Sequence, residues 1–287
     1  MQGAQQTLAV DLSSMCTIAI LLEVVVGAPL VVAANRDEVY ARPTRPPESL
    51  GDRIAGGVDE LSGGTWLAIH AAGRFAAVTN QRALAPVAPG LRSRGLAVRE
   101  LIAAGDPDGH VAALDPTRYA SMNLVWGDAR GVSIAYARRE GTLEIERLPR
   151  GIHVLCNDRL GAPGFPRADR LRGAIAEARS RGVGAPAAPP ARRGASPVGS
   201  IERADLAWPA VVPALEAALA DHTRVDPPPS HLPADVAREL TATCIHTAAY
   251  GTRSSTIFAA ERGRTIAYRH ADGPPCTTRF VDRIALL

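Results

Sequence analysis

Asn35-Arg36-Asp37-Glu38 follows the apolar run Leu30–Ala34 without a break. No core requires an amide, a cation and two anions in four residues. Cys16 opens the preceding apolar run, and a hairpin between the two runs would set these polar groups beside its thiol. A cation, a carboxylate and a neutral amide are the groups that activate a cysteine nucleophile. Met15 precedes Cys16. If translation starts at Met15 and that residue is removed, Cys16 becomes the first residue. Its α-amine, with an ordinary pKa of about 7.7–8.0, can then take the thiol proton at neutral pH. The plainer alternative is a small buried residue at the start of a strand.

Three further residues could serve such chemistry. Asn80 closes the string Val78-Thr79-Asn80, and Asn157 follows Leu155-Cys156. Either amide could donate to a developing oxyanion, a device worth about 2.7–4 kcal/mol. Either could equally be a turn residue, because asparagine tolerates left-handed backbone. Arg253, in Tyr250-Gly251-Thr252-Arg253, could hold a substrate carboxylate or stabilise a thiolate, or form a surface ion pair of little worth.

Other chemistries lack their signatures. The seven histidines show no HxxxH or HExxH spacing, and the four cysteines (Cys16, Cys156, Cys244, Cys276) form no CxxC or CxxCH. No metal site is therefore expected, nor a covalent haem attachment. His70 and His246 could each ligate a haem iron, but an isolated histidine is more often a satisfied polar residue. Gly56-Gly57 and Gly63-Gly64 lack the lysine and helix of a phosphate loop. A net charge of +3 and 4% aromatic residues argue against nucleic acid. The cysteine pattern reads as reduced thiols and a cytoplasmic protein.

These residues need a scaffold. Cys16–Ala34 is apolar, but Glu23 and Gly27-Ala28-Pro29 break it well short of the ~20 residues of a membrane span. Two strands joined by a turn fit it better. The pattern predicts strands at Thr17–Val25, Leu30–Ala34, Thr65–His70 and Arg74–Thr79, with a tight approach or a positive φ at Gly63-Gly64. Helices follow at Arg94–Ala104, capped by Gly105, and at Asp108–Leu114. Strands return at Met122–Trp126, Val132–Ala137, Leu143–Arg147 and Ile152–Leu155. Helices at Arg167–Arg181 and Asp205–Asp221 precede strands near Thr252–Ala259, Thr265–Arg269 and Cys276–Ile284. Residues 182–200 and 226–233, rich in proline, read as loops. This order is not the alternation of a parallel sheet; two antiparallel sheets flanked by helices accommodate it.

Taken together, the strings resemble the NRDE family, known in eukaryotes as the transport and Golgi organisation protein 2 family. The resemblance rests on Met15-Cys16, Ala33-Ala34-Asn35-Arg36-Asp37-Glu38 with Arg42-Pro43, Gly63-Gly64-Thr65-Trp66-Leu67, Ala77-Val78-Thr79-Asn80, Ser93-Arg94-Gly95, Asn123-Leu124 and Tyr250-Gly251-Thr252-Arg253. It implies a likeness to N-terminal-nucleophile hydrolases, an α+β fold built as an αββα sandwich over residues 16–287, with residues 1–15 a leader or a misplaced start. By position, Cys16 would be nucleophile and base, Asp37 would hold the amine, and Asn80 and Asn157 would serve the oxyanion and substrate. Arg36 and Arg253 would supply charge, with Asn35 and Trp66 also lining the substrate site. The substrate would be a small non-peptide amide, and hydrolysis would need no cofactor. The family also implies a non-enzymatic alternative, in which the same cleft binds haem or another hydrophobic, acidic ligand for trafficking. Since neighbours on a strand face opposite ways, Arg36 and Asp37 can both face Cys16 only if the strand ends near Ala34.

Overall fold

The computed structural model describes residues 16–81, 90–181, 206–230 and 232–287. Residues 1–15 and the expected loop at 182–200 lie outside these.

The core is built on one sheet of the order β11 (Gly151–Leu155), β1 (Thr17–Leu22), β3 (Leu30–Val39), β13 (Tyr250–Glu261), β14 (Arg264–Ala271), β15 (Val281–Asp282). A second sheet runs β10 (Leu143–Arg147), β9 (Gly131–Ala137), β8 (Met122–Asp128), β7 (Arg74–Asn80), β6 (Leu67–His70), β5 (Ile54–Asp59), β4 (Thr44–Gly51). All strand pairings within both sheets are antiparallel. Alternation along each strand sorts the side chains into layers. Ile18, Ile20, Val32 and Ala34 of the first sheet meet Leu67, Ala77, Val125 and Ile134 of the second. Ala19, Leu21, Val31 and Ala33 point the other way, onto α3 (Pro166–Arg181) and α4 (Trp208–Leu219) through Leu171, Ile175 and Leu215. On the far side of the second sheet, Ala76, Val78 and Leu124 pack on α1 (Arg94–Ala103) and α2 (Pro107–Ala112) through Val98, Leu101 and Val111. The fold is an αββα sandwich.

Most expected elements appear with shifted ends. Three departures matter for function. The strand expected to stop at Ala34 runs unbroken to Val39. A hairpin of β4 and β5 forms where no strand was expected. Its sequence carries Pro46-Pro47 and Gly56-Gly57, which hide any alternation; β4 is the sheet's edge strand, where proline removes no needed donor. Only Val281–Asp282 of the strand expected over Cys276–Ile284 is paired. The residues before it turn back, with the Thr277 and Thr278 amides donating to the Pro274 carbonyl.

Gly63-Gly64 divides the two roles expected of it. Gly63 has φ +67°, and Gly64 lies against α1. A Cβ at Gly64 would sit 2.5 Å from the Gly95 carbonyl carbon and 2.7 Å from its Cα, while the Thr65 amide donates to the Gly95 carbonyl at 3.1 Å. Two of the strings noted above thus meet backbone to backbone. Gly64→Ala is expected to cost about 1–3 kcal/mol through overpacking, read as a lowered urea midpoint; an unchanged midpoint would contradict this contact.

Candidate functional site

Cys16 precedes β1 and lies opposite Arg36, as the pairing of Thr17 with Asn35 requires. Both line a cavity of about 930 Å3, together with Glu38, Trp66, Asn80 and Arg253. The unexpected β4–β5 hairpin forms part of its wall through Thr44, Arg45, Val58 and Asp59. Six arginines (Arg36, Arg42, Arg45, Arg92, Arg94, Arg253) line it against three acids (Glu38, Asp59, Asp272). Part of this charge is paired locally. Arg42 donates to Asp59 from Nε at 3.0 Å and Nη2 at 2.6 Å, and Arg45 donates to Glu48 at 2.8 Å.

The Cys16 thiol is buried. Burial, and then the charge of Asp37, push its pKa up to about 12, only partly offset by the Asp37 backbone hydrogen bond and the Arg36 guanidinium. Arg36, also buried, is pulled below the usual arginine value by desolvation, and its Nη2 lies 3.8 Å from Glu38.

Because β3 does not break, Arg36 and Glu38 share the face toward the cavity while Asn35 and Asp37 take the opposite face. The expected break near Ala34 is thus replaced by plain alternation. Asn35 does not reach the cavity. Its Nδ2 donates to the Leu219 and Thr243 carbonyls, both at 2.9 Å, and its Oδ1 accepts from Ser255 Oγ at 2.5 Å. Asp37 accepts from Thr252 Oγ1 at 2.6 Å through Oδ1, whereas its Oδ2 is buried without a partner. Desolvation raises its pKa to about 7, against the pull of Arg167.

Arg167, which enters the sequence reading only as the first residue of an expected helix, is almost wholly buried. It donates to the Leu240 carbonyl at 2.7 Å and to Asn157 Oδ1 at 3.3 Å. Burial opposes its charge, but the neighbouring Cys156 and Asp37 hold the guanidinium protonated. Proximity to the Asn-Arg-Asp-Glu run after folding is its signal, and no local pattern carries that.

Asn80 ends β7 and lines the cavity. Asn157 does not; its Nδ2 donates to the Asn80 carbonyl at 3.0 Å, which makes it a brace for that residue. A strut beside it joins the two sheets. Thr79 Oγ1 donates to the Cys156 carbonyl at 2.8 Å, and Asn123 Nδ2 donates to Thr79 Oγ1 and the Asp158 carbonyl, each at 2.9 Å.

Arg253 sits at a bulge, where the β3–β13 register shifts between Thr252 and Ser254. Its Nη1 donates to the carbonyls of Val39, Tyr40 and Arg42 at 3.1, 2.8 and 3.2 Å. It therefore fixes the turn after β3 while lining the cavity. Of the histidines considered as haem ligands, His70 lies away from the cavity at the end of β6, its Nδ1 accepting from the Ala72 amide. His246 belongs to a separate cluster. The histidine that does line the cavity is His270, whose pKa burial lowers to about 4 and whose Nε2 lacks a partner.

A family model described as "Transport and Golgi organisation 2" matches residues 15–270. The chain belongs to the Transport and Golgi organisation 2 family. Among curated proteins, the Transport and Golgi organization protein 2 homologs of Bos taurus and Homo sapiens are 31% and 32% identical to it. Those matches extend over 153 and 150 residues, each covering 47% of this chain and 52% of the relative. The chain thus spans about half the length of the curated relatives it matches. Among solved structures, a Caenorhabditis elegans ortholog of N-acylethanolamine-hydrolyzing acid amidase is 9% identical with a TM-score of 0.45, covering 84% of this chain and 91% of that one. A conjugated bile acid hydrolase mutant from Clostridium perfringens is 10% identical with a TM-score of 0.43, covering 93% and 92%. For this member of the family, no helix among the described residues is long and apolar enough to cross a membrane.

Proposed function

We propose that this Transport and Golgi organisation 2 family member is a cysteine-dependent hydrolase of a small, anionic, non-peptide amide, active once Cys16 is the first residue. The supporting observation is a buried thiol lining an arginine-rich cavity, with an unpartnered Asp37 carboxylate oxygen in the polar layer behind it. A free α-amine at Cys16 would give that oxygen a cationic partner. The amine takes the thiol proton, and sulfur attacks the amide carbonyl carbon. The Asn80 amide donates to the oxyanion of the tetrahedral intermediate. Collapse expels the amine, which leaves with the proton held on the Cys16 nitrogen. Water, deprotonated by the same nitrogen, then cleaves the thioester and releases the acid. Arg36 meets the substrate's negative charge, Trp66 covers its apolar part, and Arg253 and Asn157 hold the walls. A cytoplasmic setting suits the four free thiols.

The test is to produce the chain from Cys16 onward, confirm its first residue by intact mass, and screen it on N-acyl amino acids. Hydrolysis lost in Cys16→Ala, with KM raised about tenfold or more in Arg36→Gln, is the expected pattern. Equal turnover by Cys16→Ala would refute the nucleophile.

The arginine excess also favours a second reading, in which the cavity carries a hydrophobic acid such as haem, its carboxylates meeting Arg36. Under that reading the chain that retains residues 1–15 binds haem, and Arg36→Gln weakens binding. Unchanged affinity in the variant would remove the reading.

A further inference from the structure

Four side chains far apart in sequence converge at the surface beside this cavity. His222 follows α4, Cys244 and His246 lie between α5 (Ala234–Glu239) and β13, and Cys276 lies in the turn after β14. One ligand-capable atom from each lies within 4.8 Å of the others. Cys244 Sγ is 3.8 Å from Cys276 Sγ and 3.6 Å from His246 Nε2, and Cys276 Sγ is 3.4 Å from the same nitrogen. Around a tetrahedral zinc, with Zn–S about 2.3 Å and Zn–N about 2.0–2.1 Å, the S···S edge is about 3.8 Å and the S···N edge about 3.5 Å. Three edges of the tetrahedron are therefore already set.

We propose that His222, Cys244, His246 and Cys276 form a structural site for a soft divalent cation, zinc by its ligand set. The fourth ligand is oriented for the task. His222 Nδ1 lies 3.0 Å from the Cys244 carbonyl, which fixes the proton there and frees Nε2 to coordinate. The two imidazole rings lie 4.8 Å apart, and a small shift of the exposed His222 ring that keeps this hydrogen bond would close the last edges. The scaffold beneath is fastened by hydrogen bonds from two backbone amides. The Cys244 amide donates to the Asp221 carbonyl at 2.9 Å, and the His246 amide to Glu239 Oε1 at 2.9 Å. On binding, both thiols lose their protons to solvent, and two thiolates with two neutral imidazoles balance the dication. Four protein ligands leave no open position, so the role is to hold structure.

What it would hold is the rim of the cavity. Asp272, Gly273 and Pro274, just before Cys276, line that space, as do Thr252 and Arg253 just after His246. The Ile245 amide donates to Thr252 Oγ1, which itself donates to Asp37. The cation would thus tie the turn after β14 to the segment that positions Asp37.

The test uses the full chain purified under reducing conditions. Elemental analysis should find about one zinc per chain, and cobalt replacement should give the intense visible bands of a tetrahedral site with thiolate charge transfer in the near ultraviolet. Cys276→Ser, in an exposed turn where the fold asks little of it, should weaken cobalt binding by more than the ~10–100-fold typical of lost supporting contacts. His110→Ala, elsewhere on the surface, should bind as the wild type does. If Cys244→Ser does not fold, the cobalt titrations of wild type and Cys276→Ser still decide. A reduced wild type that gives no thiolate–cobalt band, a Cys276→Ser variant that binds equally well, or a metal-free chain carrying a Cys244–Cys276 disulfide would each overturn the proposal.

Discussion

A chain that begins at Cys16 is expected to be alkylated at that thiol at neutral pH at least about 10³ times faster than a chain in which Cys16 is joined to Met15. With the peptide intact, burial and the Asp37 charge set the thiol near 12. About one molecule in 10⁵ then carries a thiolate at pH 7. Cleaving the Met15–Cys16 bond replaces a neutral amide with an amine beside the Asp37 carboxylate. That amine can hold the thiol's proton, and as an ammonium it favours the thiolate it faces. Asp37→Asn removes the anion that keeps the ammonium in place, so it should cancel most of the gain in the shortened chain. The rate of iodoacetamide incorporation at Cys16, read by peptide mapping and normalised to each chain in denaturant, measures the effect. Equal normalised rates in the two chains would mean that the amine does not act on the sulfur.

The layered fold was legible because its central strands are short apolar runs bounded by turn residues, as strands covered on both faces must be. Strands β3, β7, β8 and β13 carry family strings as well. The candidate site was legible in part. Cys16, Arg36, Trp66, Asn80 and Arg253 line one cavity, and their strings had already suggested a shared site. Asn35 and Asn157 carry the same residue type as Asn80, yet they brace backbone carbonyls instead of lining the cavity. Residue type alone cannot separate these roles, because an asparagine amide serves a carbonyl of the chain as readily as one of a substrate. The β4–β5 wall was hidden by prolines that only an edge strand tolerates. The His222–Cys244–His246–Cys276 cluster was hidden by spacing. Its ligands come from three loops, and the CxxC signature sought in the sequence describes only sites whose ligands share one turn. The strand end was misjudged for a different reason. Reading Arg36 and Asp37 as both facing the thiol demanded a break, whereas the structure gives the cavity one of them and the layer behind the sheet the other.

That rear layer yields the largest expected stability effect, and its pH dependence follows from the same residues. Arg167 is the buried cation whose charge pulls down the pKa of the buried Asp37, and Arg167→Ala is expected to cost about 3–5 kcal/mol at pH 8. At most about 1.4 kcal/mol of this is the cost of holding Asp37 protonated one unit above its folded pKa, and lost hydrogen bonds and packing make up the rest. The cost should shrink at pH 5. Asp37 has a folded pKa raised to about 7, above the roughly 3.9 of an unfolded aspartate. The folded state therefore binds the proton more tightly, and this group's contribution to stability is greatest at low pH and falls as pH rises through that window. At pH 5 Asp37 is mostly neutral in the folded chain, so removing Arg167 forfeits its hydrogen bonds to Leu240 and Asn157 and its contacts with Phe165 and Cys156, but no charge pairing with Asp37. At pH 8 the wild-type carboxylate is mostly charged and needs the guanidinium. Without it, Asp37 must either stay protonated against the solvent pH or remain charged and unpaired. Asp37→Asn added to Arg167→Ala should remove the extra ~1.4 kcal/mol lost at pH 8 while changing little at pH 5, since the amide cannot ionise. Urea unfolding of the four proteins of this cycle at the two pH values measures each quantity. An Arg167→Ala penalty that is equal at pH 5 and pH 8, with no rescue by Asp37→Asn, would show that the two buried charges do not interact.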